Sequence, residues 1–193
     1  MLQENQRIYI YIASDKSFGQ KDNCELDSAY NPTGPYETSK ACEDMLVECY
    51  AKTYELPIYL LRFPNFIGKD DPHSERLIPG ILHALKTNSV FSVRTNLDYK
   101  RQYIHVEDAA RAIKQFLKLL ETGEKPQFKN HFGTPHIKST DQIIQSLEKL
   151  SGKKLDIQVQ GKTGEIKSLS LSNDNALGYK YMEWEDTIRK CLT

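Results

Sequence analysis

Apolar positions along the chain switch between a strand-like and a helix-like rhythm. Arg7-Ile8-Tyr9-Ile10-Tyr11-Ile12 is a run of β-formers that predicts a first strand over 7–12. Polar and turn-forming residues from Gly19 to Pro35, among them Asn31-Pro32 and Gly34-Pro35, predict a surface loop. A helix is predicted from about Tyr36 to Tyr54. There Ala41, Cys42, Met45, Leu46, Cys49 and Tyr50 recur at three- and four-residue spacing, opposite Glu43, Asp44, Glu48 and Lys52. Ile58 to Phe63 is almost continuously apolar, as in a strand buried on both faces of a parallel sheet. Strand, helix, strand in that order is a βαβ crossover, so the fold class is α/β.

The turn Pro64-Asn65-Phe66-Ile67-Gly68 and a charged loop to Arg76 lead into a helix from about Ile78 to Leu85. Val90 to Arg94 and Tyr103 to Val106 read as strands. Glu107-Asp108 opens a helix with Ala109, Ala110, Ile113, Phe116, Leu117 and Leu120 on its apolar face. Asn130 to Gly133 ends a short strand. Thr140 or Asp141 caps a helix that stops at Gly152. Strands at Leu155–Val159 and Ile166–Leu171 and a closing helix over about Glu183–Cys191 complete the pattern.

Composition narrows the reading. The 193 residues carry 26 basic and 26 acidic side chains, so no net field draws in nucleic acid or an anionic membrane, although local basic residues can still bind a phosphate. No apolar run approaches the roughly 18 residues of a membrane span, and no apolar signal segment is seen. Cys24, Cys42, Cys49 and Cys191 lack metal-binding spacing. They read as reduced, mostly buried thiols of a cytoplasmic protein, with Cys42 and Cys49 as small core residues of the first helix.

Two clusters carry candidate chemistry. Ser14-Asp15-Lys16 stands at the C-terminal end of the first strand, the edge where open α/β sheets bind ligands. Tyr36 and Lys40 lie one helical turn apart, and an ammonium near a phenol favours the phenolate a general base needs. Taken singly, each cluster equally fits an exposed turn or a solvated helix face.

Together they resemble the extended short-chain dehydrogenase/reductase family, and within it the nucleotide-sugar 4,6-dehydratases of CDP-glucose type. Ile12 to Gly19 is similar to that family's active-site strand and loop, and Tyr36 to Lys40 to its Tyr/Lys helix. Leu61 to Gly68 is similar to the Arg-x-x-Asn turn, Arg76 to Pro79 to the segment over the substrate, and Lys100 to Asp108 to the Arg-(Asp)-Tyr block. The resemblance implies the C-terminal part of a Rossmann-like doubly wound parallel sheet plus a small α+β substrate-binding domain. The first would occupy 1–120, with substrate segments around 65–100, and the second mainly 121–193.

It also implies roles. Tyr36, aided by Ser14, would take the sugar 4-hydroxyl proton while hydride passes to NAD. Asp15 would protonate the departing C6 hydroxyl, and Lys16 would assist at C5. Tyr36, Lys40 and Pro64 would contact the cofactor. Ser14, Asn65, Arg101 and, as a helper, Arg76 would bind the nucleotide-diphosphate sugar, guanidinium forks suiting the diphosphate. His105 reads as structural. Related 4-epimerases carry small residues in place of Asp15-Lys16, so the pair favours dehydration.

The Gly-rich strand–turn–helix that takes the cofactor pyrophosphate is not in this sequence, and roughly four strands of the two-halved fold are unaccounted for. Three readings follow: a separate NAD-binding polypeptide completing the enzyme, an inactive fragment, or a binding or assembly module. The 7–12 strand should then show an open edge, and helices an uncovered apolar face. A homodimer through the 36–54 helix is a further expectation.

Overall fold

The computed structural model describes residues 7–161, 164–173 and 178–192. Its elements run β1 (Tyr9–Ser14), β2 (Lys21–Cys24), α1 (Pro35–Thr53), β3 (Ile58–Phe63), β4 (Asn65–Ile67), α2 (Leu77–Thr87), β5 (Phe91–Val93), β6 (Lys100–His105) and α3 (Val106–Glu121). Then come β7 (Lys129–His131), β8 (Ile137–Ser139), α4 (Thr140–Ser151), β9 (Ile157–Val159), β10 (Ser168–Leu171) and α5 (Trp184–Leu192).

Three strands form a parallel sheet in the order β1-β3-β7, with Ser14 opposite Phe63 and Leu61 opposite Asn130. A second sheet runs β2-β10-β6-β4 with β8 antiparallel on β6, and β5 pairs with β9 apart from both. Pro64 separates β3 of the first sheet from β4 of the second. Proline has no N–H to continue a ladder, so the chain changes sheets there. Leu61, Phe63, Ile104, Phe116 and Phe132 pack into one core, and Ile81, Ile143, Leu147 and Ile188 into another between α2, α4 and α5.

Several elements differ from the sequence reading. The first strand runs two residues later than 7–12. The 19–35 loop contains β2, which pairs with distant β10, a contact no local pattern announces. Residues 65–67 of the predicted turn are strand β4. The cap of α4 is Ser139, one residue before Thr140, in a full capping box with Gln142. On α3, Ala112 is buried, while Ala110 and Leu117 face out.

The largest difference is the rotation of α1. Cys42, Met45, Leu46, Cys49 and Tyr50 are exposed, Leu46 by 59%, so the two cysteines are not core residues. The helix instead turns Ala41, Asp44 and Ala51 inward. Arg62 on β3 decides this. It is the one charge in that strand, it is 0% exposed, and its guanidinium pairs with the Asp44 carboxylate, also 0% exposed. A buried cation left without its anion is far more costly than exposed apolar side chains. The outer edge of β1 has no partner strand among the described residues.

Removing Asp44 leaves the buried guanidinium without its countercharge. Asp44→Ala is expected to destabilise the fold by about 3–5 kcal/mol, read from the midpoint of denaturant unfolding. A change below about 1 kcal/mol would mean that the pair does not set the seat of α1.

Candidate active site

At the end of β1 the chain turns through one 3-10 helix, Asp15–Phe18. The Ser14 hydroxyl accepts the Lys16 N–H at 3.2 Å and caps this turn. Gly19 closes it at φ +65°, where a Cβ would meet the Asn31 carbonyl oxygen at 1.9 Å. Phe18 is fully buried against Cys24, Ile166, Leu169 and Leu171 and stacks on Tyr30, which pins the turn from below.

The turn opens on a cavity of about 960 Å³, large enough for a nucleotide-sized ligand. Ser14, Asp15, Lys16, Tyr36, Lys40 and Pro64 all line it, as do Asn65, Arg76 and Arg101, so every residue singled out from the sequence meets at one site. Asp15 is 1% exposed and its Oδ2 has no hydrogen-bond partner; neither has the Lys16 ammonium, which stands 3.6 Å from Asp15 Oδ1. Buried polar atoms without partners are rare in folded proteins, and here two of them stand side by side at the cavity wall, free to bond a ligand there.

Tyr36 is 57% exposed at the helix start. The Lys40 ammonium lies 5.9 Å from its ring centre and is bonded to Glu43 Oε2 at 2.9 Å. The direct Tyr36–Lys40 partnership expected from spacing is therefore shared with a carboxylate. The bond to Glu43 raises Lys40 above the ordinary lysine value, and Lys40 together with the Tyr11 hydroxyl lowers Glu43. Exposed pairs of this kind are worth about 0.3–0.5 kcal/mol, so a ligand can draw the ammonium away.

On the substrate side, Asn65 Nδ2 donates to the Gln102 carbonyl at 3.0 Å. Arg76 is paired with Asp71 at 3.0 Å. Arg101 donates to the Lys100 carbonyl at 2.8 Å and meets no carboxylate among the described residues. His105 accepts the Glu107 N–H through Nδ1 and so caps α3, in keeping with its structural reading.

Residues that the sequence reading left without a role hold the site together. Arg62 Nε donates to the Ser14 carbonyl at 3.1 Å, and its other nitrogens reach His131, Tyr30 and Asp44. One guanidinium thereby fixes the Ser14 loop against the Tyr36/Lys40 helix. The available signal was a lone charge inside a continuously apolar strand. Arg94, Tyr99 and Glu165 also line the cavity, without a local pattern that marks them.

A parallel sheet with Ser14-Asp15-Lys16 at a strand end and a Tyr-x-x-x-Lys helix beside it places the molecule among the Rossmann-like epimerase/dehydratase folds. The chain belongs to the NAD-dependent epimerase/dehydratase family, whose model matches residues 1–131. It is 26% identical to the low-salt glycan biosynthesis protein Agl12 of Haloferax volcanii, over 95% of this chain and 60% of that protein. It is 30% identical to the dTDP-D-glucose 4,6-dehydratase of Mus musculus, over 74% of this chain and 39% of that one. Among solved structures, the UDP-glucuronic acid 4-epimerase of Bacillus cereus with UDP-glucuronic acid and NAD superposes with TM-score 0.85 at 20% identity, covering 97% of this chain and 61% of that one. The dTDP-glucose 4,6-dehydratase of Bacillus anthracis with NAD gives 0.83 at 20% identity, covering 96% and 60%. The chain thus spans at most about three-fifths of these relatives.

The Arg62 network has a pH signature through His131. Burial, and then the Arg62 guanidinium, push this imidazole down to about 3 from its ordinary 6.5. A histidine kept neutral in the fold stabilises it fully above its unfolded value. That contribution is lost as pH falls from about 6.5 towards 3. His131→Gln retains an acceptor for Arg62 and cannot titrate. Over that window the stability of wild type should fall more steeply than the variant's, by up to about 1.4 kcal/mol per pH unit. Equal slopes in acid titrations of unfolding would exclude a neutral His131.

Proposed function

We propose that this chain is the catalytic and sugar-binding part of a nucleotide-sugar 4,6-dehydratase that works with an NAD-binding half. The observation that carries this reading is the Asp15–Lys16 pair, a buried acid beside the ammonium of a half-buried lysine, each with an unpartnered atom, at a cavity that Tyr36 also lines. Epimerisation at C4 needs no such pair, whereas loss of the C6 hydroxyl needs a proton donor for the leaving oxygen and a group to draw the C5 proton.

In this reading Tyr36 removes the 4-hydroxyl proton, with Ser14 hydrogen-bonded to the same oxygen. The 4-keto group then makes C5–H acidic. Lys16 assists its removal, and Asp15 delivers a proton to the departing C6 hydroxyl, leaving a 4-keto-6-deoxy sugar after hydride return. Bound NAD supplies the acceptor and later the donor of that hydride. Tyr36, Lys40 and Pro64 would face it across the cavity, and Asn65, Arg101 and Arg76 would hold the substrate diphosphate. The Gly-rich turn for the cofactor pyrophosphate would come from the other half, paired along the open edge of β1. The exposed face of α1 would serve a second copy of the chain.

Mixing the chain with the NAD-binding half of a matched dehydratase, and following 4-keto sugar formation from CDP-, dTDP- and UDP-glucose, tests the proposal. Turnover should need both halves and fall about 10²–10⁴-fold in Tyr36→Phe. Lys16→Met should retain oxidation at C4 and lose elimination. A C4-epimerised product still bearing its C6 hydroxyl would make the chain an epimerase. Tight sugar-nucleotide binding without turnover in any mixture would make it a binding module.

A further inference from the structure

We infer that Glu43, anchored by Tyr11, is a positioning residue that decides where the Lys40 ammonium rests relative to Tyr36. The inference rests on the reading of Tyr36 and Lys40 as the proton-handling pair and adds two residues outside their signature. Both bonds converge on one atom: Glu43 Oε2 accepts the Tyr11 hydroxyl at 2.7 Å and the Lys40 ammonium at 2.9 Å.

The two donors differ in freedom. Tyr11 sits in the middle of β1, in register with Leu60 of β3, so its hydroxyl starts from a fixed backbone. Glu43 is partly exposed on α1, and with Lys40 alone the two flexible chains could pair in many geometries. The hydroxyl selects one. In it the ammonium is drawn along the helix and stands beside the Tyr36 ring at 5.9 Å from the centroid. The neighbouring carboxylate, Asp44, is taken by Arg62 and cannot compete for Lys40. A ligand hydroxyl that needs Lys40 must share it with Glu43 or take it away. The strength of the Tyr11–Glu43 anchor therefore sets how readily Lys40 serves the site.

The test uses the chain itself, labelled with ¹³C at the lysine ε-carbon. In Glu43→Gln the Lys40 ε-methylene should move upfield as the side chain swings towards the Tyr36 ring. Tyr11→Phe should move it less, in the same direction. Neither change should occur in a Tyr36→Leu background. An unmoved resonance in Glu43→Gln, or the same movement without the Tyr36 ring, overturns the inference. This readout needs no turnover, so failure of the dehydratase assay leaves it intact. If the two-part enzyme is active, Glu43→Gln should lower kcat about five-fold or more, with KM for the sugar nucleotide unchanged. A rise in KM alone would show that Glu43 acts on binding and overturn the positioning role.

Discussion

A guanidinium in the dry interior of a strand has to be met on every side, and the arrangement around Arg62 follows from that requirement. Four hydrogen bonds, to the Ser14 carbonyl, His131, Tyr30 and Asp44, and the Phe18 ring, 4.5 Å from the guanidinium carbon, answer its donors and one flat face. These partners belong to β1, the turn after it, the following loop, α1 and β7. Burying such a pair returns little net stability, because desolvation offsets the attraction. What it supplies here is registry. Sliding α1 by one turn would strand both charges, so the phenol and ammonium of that helix are held to one position over the strand ends.

The site is then assembled from two sheets. The Ser14-Asp15-Lys16 turn follows a strand of the first, and Asn65 and Arg101 lie on strands of the second. Pro64 stands at the crossing and lines the cavity between them. A ligand in that cavity would meet the carboxyl end of β1, the usual position of ligand sites in open α/β folds, and the first residues of β4 and β6 in the second sheet.

Much of this was legible in the residues. The strand at Ile58–Phe63 and the order of the five helices follow from periodicity, and the convergence of Ser14, Asp15, Lys16, Tyr36 and Lys40 follows from the family resemblance that their motifs carry together. The face that α1 buries did not, because its apolar period points outward while one long-range charge pair pulls Asp44 in. Strand β2 was hidden for a related reason. Lys21-Asp22-Asn23-Cys24 has no strand pattern, and it is ordered by pairing with residues almost 150 positions away. Glu43 looked like a solvated face residue. Only the hydroxyl arriving from β1 gives it a partner that spacing along the helix could not reveal.

The edge of β1 that has no partner strand among the described residues, and the outward apolar face of α1, matter for how such a fold survives in a cell. Unpaired strand edges and exposed Met45, Leu46 and Tyr50 are features that also drive aggregation of partly folded chains. While they stay uncovered, chaperones and proteases have a surface to bind even when the fold beneath is intact. Whatever covers that surface, within one chain or between two, therefore protects the fold from capture as well as adding to its stability.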